Sequence, residues 1–153
     1  MTEIREATSR DLDQVTALDA DLFGADGWSA AVISAEFAAA GETRHLVVAV
    51  SGAQLTGYAI LLTVAEVADL QRIGVAREAQ RQGLGSLLME ALNTRAVDCG
   101  CERMLLEVDA YNGSAIAFYR RLGFLEIARR PGYYHAGTDA VVMARDLPRP
   151  TST

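Results

Sequence analysis

The chain has 153 residues, half of them hydrophobic and 22% charged, with 3 prolines. That is one domain's worth of sequence and excludes a disordered, collagen-like or low-complexity chain. The net charge is −6, and every basic residue other than histidine is an arginine, which argues against duplex nucleic acid as a partner. The apolar runs are all shorter than the ~18 residues of a membrane span. The opening Met1–Glu6 stretch has acids where a signal peptide has an apolar core, so a cytoplasmic protein with no membrane partner is expected.

In chain order, Glu3 to Ala7 reads as a strand. Ser9 can cap a helix in which Leu12, Val15, Leu18 and Leu22 recur at three- and four-residue steps. Gly24, Asp26 and Gly27 break it, and Ser29 caps a second helix with Val32, Ile33, Glu36 and Phe37, closed by Gly41. Strand-like segments follow at 43–50, 54–63 and 66–75, with a Ser51-Gly52 turn between the first two. A glycine-containing loop leads into a helix over 83–98, where Leu87, Leu88, Ala91, Leu92 and Ala96 share one side. Residues 103–108 are strand-like, 112–122 form a helix ended by Gly123, and 124–129 and 138–145 alternate as strands. The order βααβββαβαββ predicts an α/β (α+β) mixed sheet, helices on both faces, in a single domain over 1–147 with a frayed tail over 148–153.

Charge divides unevenly: residues 1–70 carry 11 acids against 3 arginines, and residues 71–153 carry 9 against 11. An anion held by the second half and a cationic partner near the first would suit that split, as would a simple acidic surface. Cys99 and Cys101 are too close for an ordinary disulfide, and with only His45 and His135 besides, no zinc spacing exists. No metal is expected, and the thiols are read as reduced and half-buried near a turn.

Gln80-Arg81-Gln82-Gly83-Leu84-Gly85-Ser86 lies between a strand and the helix it opens. Paired glycines let the backbone turn tightly and a ligand approach closely. The free N–H groups and dipole of the helix start favour an anion such as a pyrophosphate, and Arg77 and Arg81 add charge. The Gly-Lys-Ser/Thr ending of a P-loop and the third glycine of a dinucleotide fingerprint are both missing. On these residues alone, a plain strand-to-helix turn with surface arginines stands equally.

Gln80-x-x-Gly83-x-Gly85 after a strand resembles the acetyl-CoA motif of the GNAT N-acetyltransferases, whose element order is the one read here. The segment Leu106 to Phe124 resembles their second conserved block. Trp28-Ser29, Ile73-Gly74-Val75, the stretch Arg129 to Tyr134 and the stretch Asp139 to Met143 resemble the RimI-type branch, which acetylates the N-terminal alanine of a small-subunit ribosomal protein. The resemblance spans nearly the whole chain. It implies acetyl-CoA as co-substrate and a ribosomal-protein N-terminus as partner; the chain itself is expected to be a monomer, since nothing in its residues demands a second chain. It implies Glu107 as general base and Tyr119 as general acid. It implies that Asn112 contacts the CoA arm, that Ile73, Gly74 and Val75 pair with the pantetheine like an added strand, and that Arg81, Gln82, Gly83, Leu84, Gly85 and Ser86 hold the pyrophosphate. Members of the family often have Pro at Arg77, an aromatic at Ala79 and Arg at Asp109; the last departure bears on the peptide side of the site.

The chemistry is coherent with these residues. The amine must lose a proton, and an α-amine near pKa 7.7–8.0 needs less help than a lysine at about 10.4. Glu107 would take that proton, directly or through a water, with Glu66 and Asp69 as rival bases. Tyr119 would protonate the departing sulfur, and backbone N–H groups at the splayed strand would meet the oxyanion. A solvated strand glutamate and a packed tyrosine are the plainer readings of the same two residues. Tyr133 and Tyr134 read either as a lid over the peptide N-terminus or as an aromatic pair covering the core. Trp28 either walls the same groove or staples the second helix. Neither Cys99 nor Cys101 has a histidine nearby in sequence, so no covalent intermediate is expected. A GNAT acting on a small amine, such as an antibiotic or polyamine, and a non-catalytic CoA-binding sensor remain the competing functions.

Overall fold

The computed structural model describes residues 1–134 and 137–148. Eleven elements follow the predicted order: β1 (Thr2–Glu6), α1 (Leu12–Phe23), α2 (Ala30–Ala38), β2 (Arg44–Ser51), β3 (Gln54–Val64), β4 (Val67–Val75), α3 (Leu84–Asp98), β5 (Arg103–Asp109), α4 (Gly113–Arg121), β6 (Leu125–Arg130) and β7 (Ala140–Asp146). They form one seven-stranded sheet in the order β1-β2-β3-β4-β5-β7-β6. All neighbours are antiparallel except β4 and β5, which run parallel through the α3 crossover. Leu147 packs into the core. The predicted frayed tail falls, from Arg149 onward, outside the described residues, as does His135.

The sheet is buried on both faces, which explains why its central strands read as near-continuous apolar runs. Along β2, Val47 and Ala49 face a core that includes Leu88, Leu92 and Ala96 of α3 and Tyr119 of α4. Leu46, Val48 and Val50 face a second core with Val15 of α1 and Ile33 of α2. Covering an exposed leucine to the extent of Leu88 or Leu92 contributes about 1.5–3 kcal/mol each. The N-terminus of the first helical segment differs from the prediction. Thr8, not Ser9, is the cap, a 3-10 turn over Ser9–Asp11 precedes α1, and the Asp11 carboxylate accepts from the Thr8 amide at 2.7 Å. Asp11 also takes a two-pronged bond from Arg5, which holds it below the usual carboxylate range against the opposing effect of burial.

One extra residue in β4 shapes the site. Ile60 pairs with Arg72 but Leu61 pairs with Leu70, so Gln71 has no partner on β3. Before this bulge, Ala68 and Leu70 face α3; after it, Ile73 and Val75 do. The alternation is shifted by one, and Arg72 turns to the α1 side. The parallel β4–β5 pairing stops at the same level, at Leu70 and Leu106. Beyond it β4 stays with β3 and β5 with β7, so the sheet opens between Arg72–Val75 and Glu107–Asp109. Among the described residues, no helix is long and apolar enough to cross a membrane.

Candidate functional site

The glycine turn stands at one mouth of this opening. A short 3-10 turn over Arg77–Ala79 leaves β4, and Gln80 Nε2 returns to donate to the Val75 carbonyl at 3.0 Å. Arg81 adopts a left-handed φ of 65°, and Gly83 caps α3 at φ 81°, a conformation that costs any other L-residue. The first intrahelical bond runs from Leu87 N to Gly83 O, so the N–H groups of Leu84, Gly85 and Ser86 have no helical acceptor. No acid sits in that first turn. Gly85 is needed for a different reason. A Cβ there would stand 3.1 Å from the Phe118 ring of α4, so the glycine lets the two helices close on each other. Arg77 is turned away from the helix start toward α1, where it donates to the Asp21 carbonyl at 2.9 Å.

Within the opening, the backbone of Ile73, Gly74 and Val75 borders the gap on the β4 side. Gly74 is a close-approach glycine: an added Cβ would lie 2.7 Å from Tyr58 Cε1 and 2.9 Å from Leu22 Cδ1. Tyr119, on the α3 side of the sheet, packs edge-on against Phe124 at 5.9 Å between ring centres. Burial, with a smaller contribution from Tyr134, pushes its phenol up to about 12, so it stays protonated at neutral pH. Asn112 caps α4, its Oδ1 accepting from Ala115 N at 3.2 Å and Ser114 Oγ at 3.3 Å.

On the opposite face, Glu107 is part-buried and ion-paired to Arg130, Nη2 to Oε1, at 3.1 Å. Asp69 lies on the same face, its register partner Leu105 being two residues before Glu107. Desolvation, then the charge of Glu107, raises the Asp69 carboxyl above its ordinary value, with Arg130 opposing. Glu66, the other rival base, sits apart in the β3–β4 turn, where its carbonyl takes the Glu102 amide. Tyr134 faces the same cluster. Burial raises its phenol to about 12, helped by Glu107, Tyr133 and Asp109 and opposed by Arg72. Tyr133 is exposed and meets the Tyr134 ring edge-on at 5.1 Å. The loop that carries both is fastened to β5 by Thr138 Oγ1, which donates to Asp109 Oδ2 at 2.9 Å. Asp109 is thus a loop anchor.

The sequence reading missed a buried network behind this face. Asp19 of α1 is completely buried. Its carboxylate accepts from Arg72 Nε at 2.8 Å and Nη2 at 3.1 Å, from the Trp28 amide at 2.7 Å, and from the Tyr58 hydroxyl. Burial pushes its carboxyl up, but the bonds from Arg72, Tyr58 and Trp28 outweigh that and hold it below the ordinary value. The available signal was an acid on the buried side of α1, four residues after Val15. The thiols also differ from the expectation, since Cys101 is buried and Cys99 exposed. A histidine does lie near one of them in space, His45 Nε2 being 3.7 Å from Cys99 Sγ. That pair sits at the far end of the 15-residue α3, about 22 Å from the glycine turn at 1.5 Å per residue. Among the described residues no group of three or more His, Cys, Asp or Glu could hold a metal ion.

Residues 11–124 match the acetyltransferase (GNAT) family model. The chain is 33% identical over 150 residues to the N-alpha-acetyltransferase RimI of Mycobacterium tuberculosis, covering 94% of this chain and 92% of that protein. It is 39% identical over 94 residues to the ribosomal protein bS18-alanine N-acetyltransferase of Escherichia coli, covering 60% of this chain. That aligned stretch spans 64% of the Escherichia coli protein's length. The crystal structure of the ribosomal-protein-S18-alanine N-acetyltransferase from Escherichia coli superposes with a TM-score of 0.87 at 30% identity, covering 100% of this chain and 98% of that one.

Proposed function

Because the chain belongs to the acetyltransferase (GNAT) family, we propose that it transfers the acetyl group of acetyl-CoA directly to the N-terminal alanine α-amine of a small-subunit ribosomal protein in the cytoplasm. The observation that carries this reading is the parting of β4 from β5 between a donor-rich helix start on one side and the Glu107 cluster on the other. Full-length similarity to an N-alpha-acetyltransferase supports the choice of amine.

In this reading the amides of Gln82 to Ser86, with Arg81, hold the pyrophosphate. The edge of Ile73, Gly74 and Val75 aligns the pantetheine, and Asn112, at the start of α4, meets the CoA arm. Glu107 accepts the proton of the incoming ammonium, releasing the lone pair that attacks the thioester carbonyl. Its charge also draws the cation into the opening, where Arg130 is displaced as counter-ion. Backbone N–H groups of the splayed β4 stabilise the oxygen that gains charge. Tyr119, protonated at neutral pH, gives its proton to the leaving sulfur. Tyr133 and Tyr134 close over the peptide.

The test is CoA release from acetyl-CoA with an alanine-initiated ribosomal peptide, the same peptide with a blocked N-terminus, and a polyamine. Turnover of the free peptide alone is expected. Turnover of the polyamine alone would overturn the peptide assignment in favour of a small amine, and binding of acetyl-CoA without any turnover would favour a sensor.

A further inference from the structure

The chain between α1 and α2 has no strand to hold it, yet it borders the Glu107 face through one side chain of β4. Arg72 donates to both oxygens of Asp19 and, through Nη2, to the Asp26 carbonyl at 3.0 Å. Its guanidinium carbon lies 3.6 Å from the centre of the Phe23 ring and 5.2 Å from that of Trp28. Asp19 also fixes the Trp28 amide. Arg72 and its buried counter-ion thus hold the 23–28 segment at Phe23, Asp26 and Trp28, beside the packing of Trp28 against the second core. The same assembly reaches the other side of β4, because the Tyr58 ring whose hydroxyl bonds Asp19 is the one packed against Gly74. Arg72 shares its face of β4 with Asp69 of the Glu107 cluster, because the bulge shifts the alternation by one, and its charge acts on Tyr134.

We propose that Arg72 is a positioning residue: clamped by Asp19, it sets the Phe23–Trp28 segment as the wall of the amine-acceptor groove opposite Tyr134. The groove's role rests on the acetyl-transfer reading above; the clamp itself does not. The geometry favours this over a merely stabilising ion pair. A stabilising pair needs no arginine lying over two aromatic rings, and a two-pronged bond from a planar guanidinium fixes orientation in a way a lysine cannot reproduce. The Gln71 bulge is what turns the side chain to this side.

Arg72→Lys is the informative substitution, because it keeps a cation beside the buried Asp19 and so avoids an unpaired buried charge. Two readouts separate the claims. Trp28 is the chain's single tryptophan beside five tyrosines, so fluorescence excited beyond the tyrosine absorption reports this segment alone. Acrylamide should quench Trp28 more strongly in Arg72→Lys, with unchanged far-ultraviolet circular dichroism; equal quenching would overturn the clamp whether or not the protein is an enzyme. In steady state the peptide KM should rise about tenfold, the scale of a lost charge-assisted bond, while the KM for acetyl-CoA stays within about twofold. Equal rises in both would overturn the positioning role, because they would mean a general loosening. The double variant Asp19→Asn with Arg72→Met removes both charges together, and it should reproduce the quenching and the peptide effect. If it folds and behaves as the parent in both assays, the proposal fails.

Discussion

The two sides of the opening are built from different materials. At the start of α3 the donors are backbone amides left free behind the Gly83 cap, and Gly85 lets α4 close in on that helix. On the Glu107 face the groups are side chains from α1, β4, β5, β6 and the β6–β7 loop, tied by ion pairs at Asp19–Arg72 and Glu107–Arg130. Amides fixed by a helix neither titrate nor swing, which suits a co-substrate that is the same in every turnover. Side chains titrate and exchange partners, which suits an amine that must arrive charged and react neutral.

The sharpest break between the two sides is Glu107→Gln. It should lower kcat by about 10²-fold or more, the usual worth of a general base, and leave acetyl-CoA affinity by calorimetry unchanged. If Asp69→Asn instead abolishes turnover and Glu107→Gln does not, the base is on β4. Gly83→Ala tests the backbone side in the opposite sense. There is open space for the methyl, so the cost is the left-handed φ alone, roughly 1–2 kcal/mol. Weaker acetyl-CoA binding by up to about tenfold, with peptide KM unchanged, is the expected pattern.

Titration of the side-chain face supplies the next test. Asp11 and Asp19 have folded-state values below their unfolded ones, so they contribute stability above the unfolded value that is lost as pH falls through the folded value. Asp69 has the opposite sign. Raised in the fold, it costs stability once pH exceeds its unfolded value and costs nothing below that. Thermal melts of Asp69→Asn should therefore exceed the parent's Tm at pH 7 and converge with it near pH 3. The smallest effect expected is that of Tyr134→Phe: with its hydroxyl donating one neutral hydrogen bond to the peptide backbone in the proposed lid, its loss should raise peptide KM severalfold.

These differences also decide what could be seen in the amino-acid order. The element sequence, the sheet class and the family were legible because they rest on local signals: glycines at a helix start, apolar periodicity, and the block from Leu106 to Phe124. The Asp19–Arg72 clamp was not legible. Its partners are 53 residues apart, and they meet only because one unpaired residue at Gln71 reverses the facing of everything after it in β4. No period-2 reading of that strand turns Arg72 away from α3. The Cys99–His45 proximity was hidden for the same reason, since sheet packing across 54 residues creates it. The cap at Thr8 was a near miss. The signal lay in Asp11, three residues on, whose carboxylate returns to the Thr8 amide.

The central claim is that the accepting group is an N-terminal α-amine. A single peptide that begins with alanine and carries an internal lysine offers both amines at equal concentration. After limited turnover with acetyl-CoA, fragment mass spectrometry locates the acetyl group. One acetyl on the α-nitrogen, absent from Glu107→Gln, is the expected result. Acetyl on the lysine side chain with a free N-terminus would contradict the account.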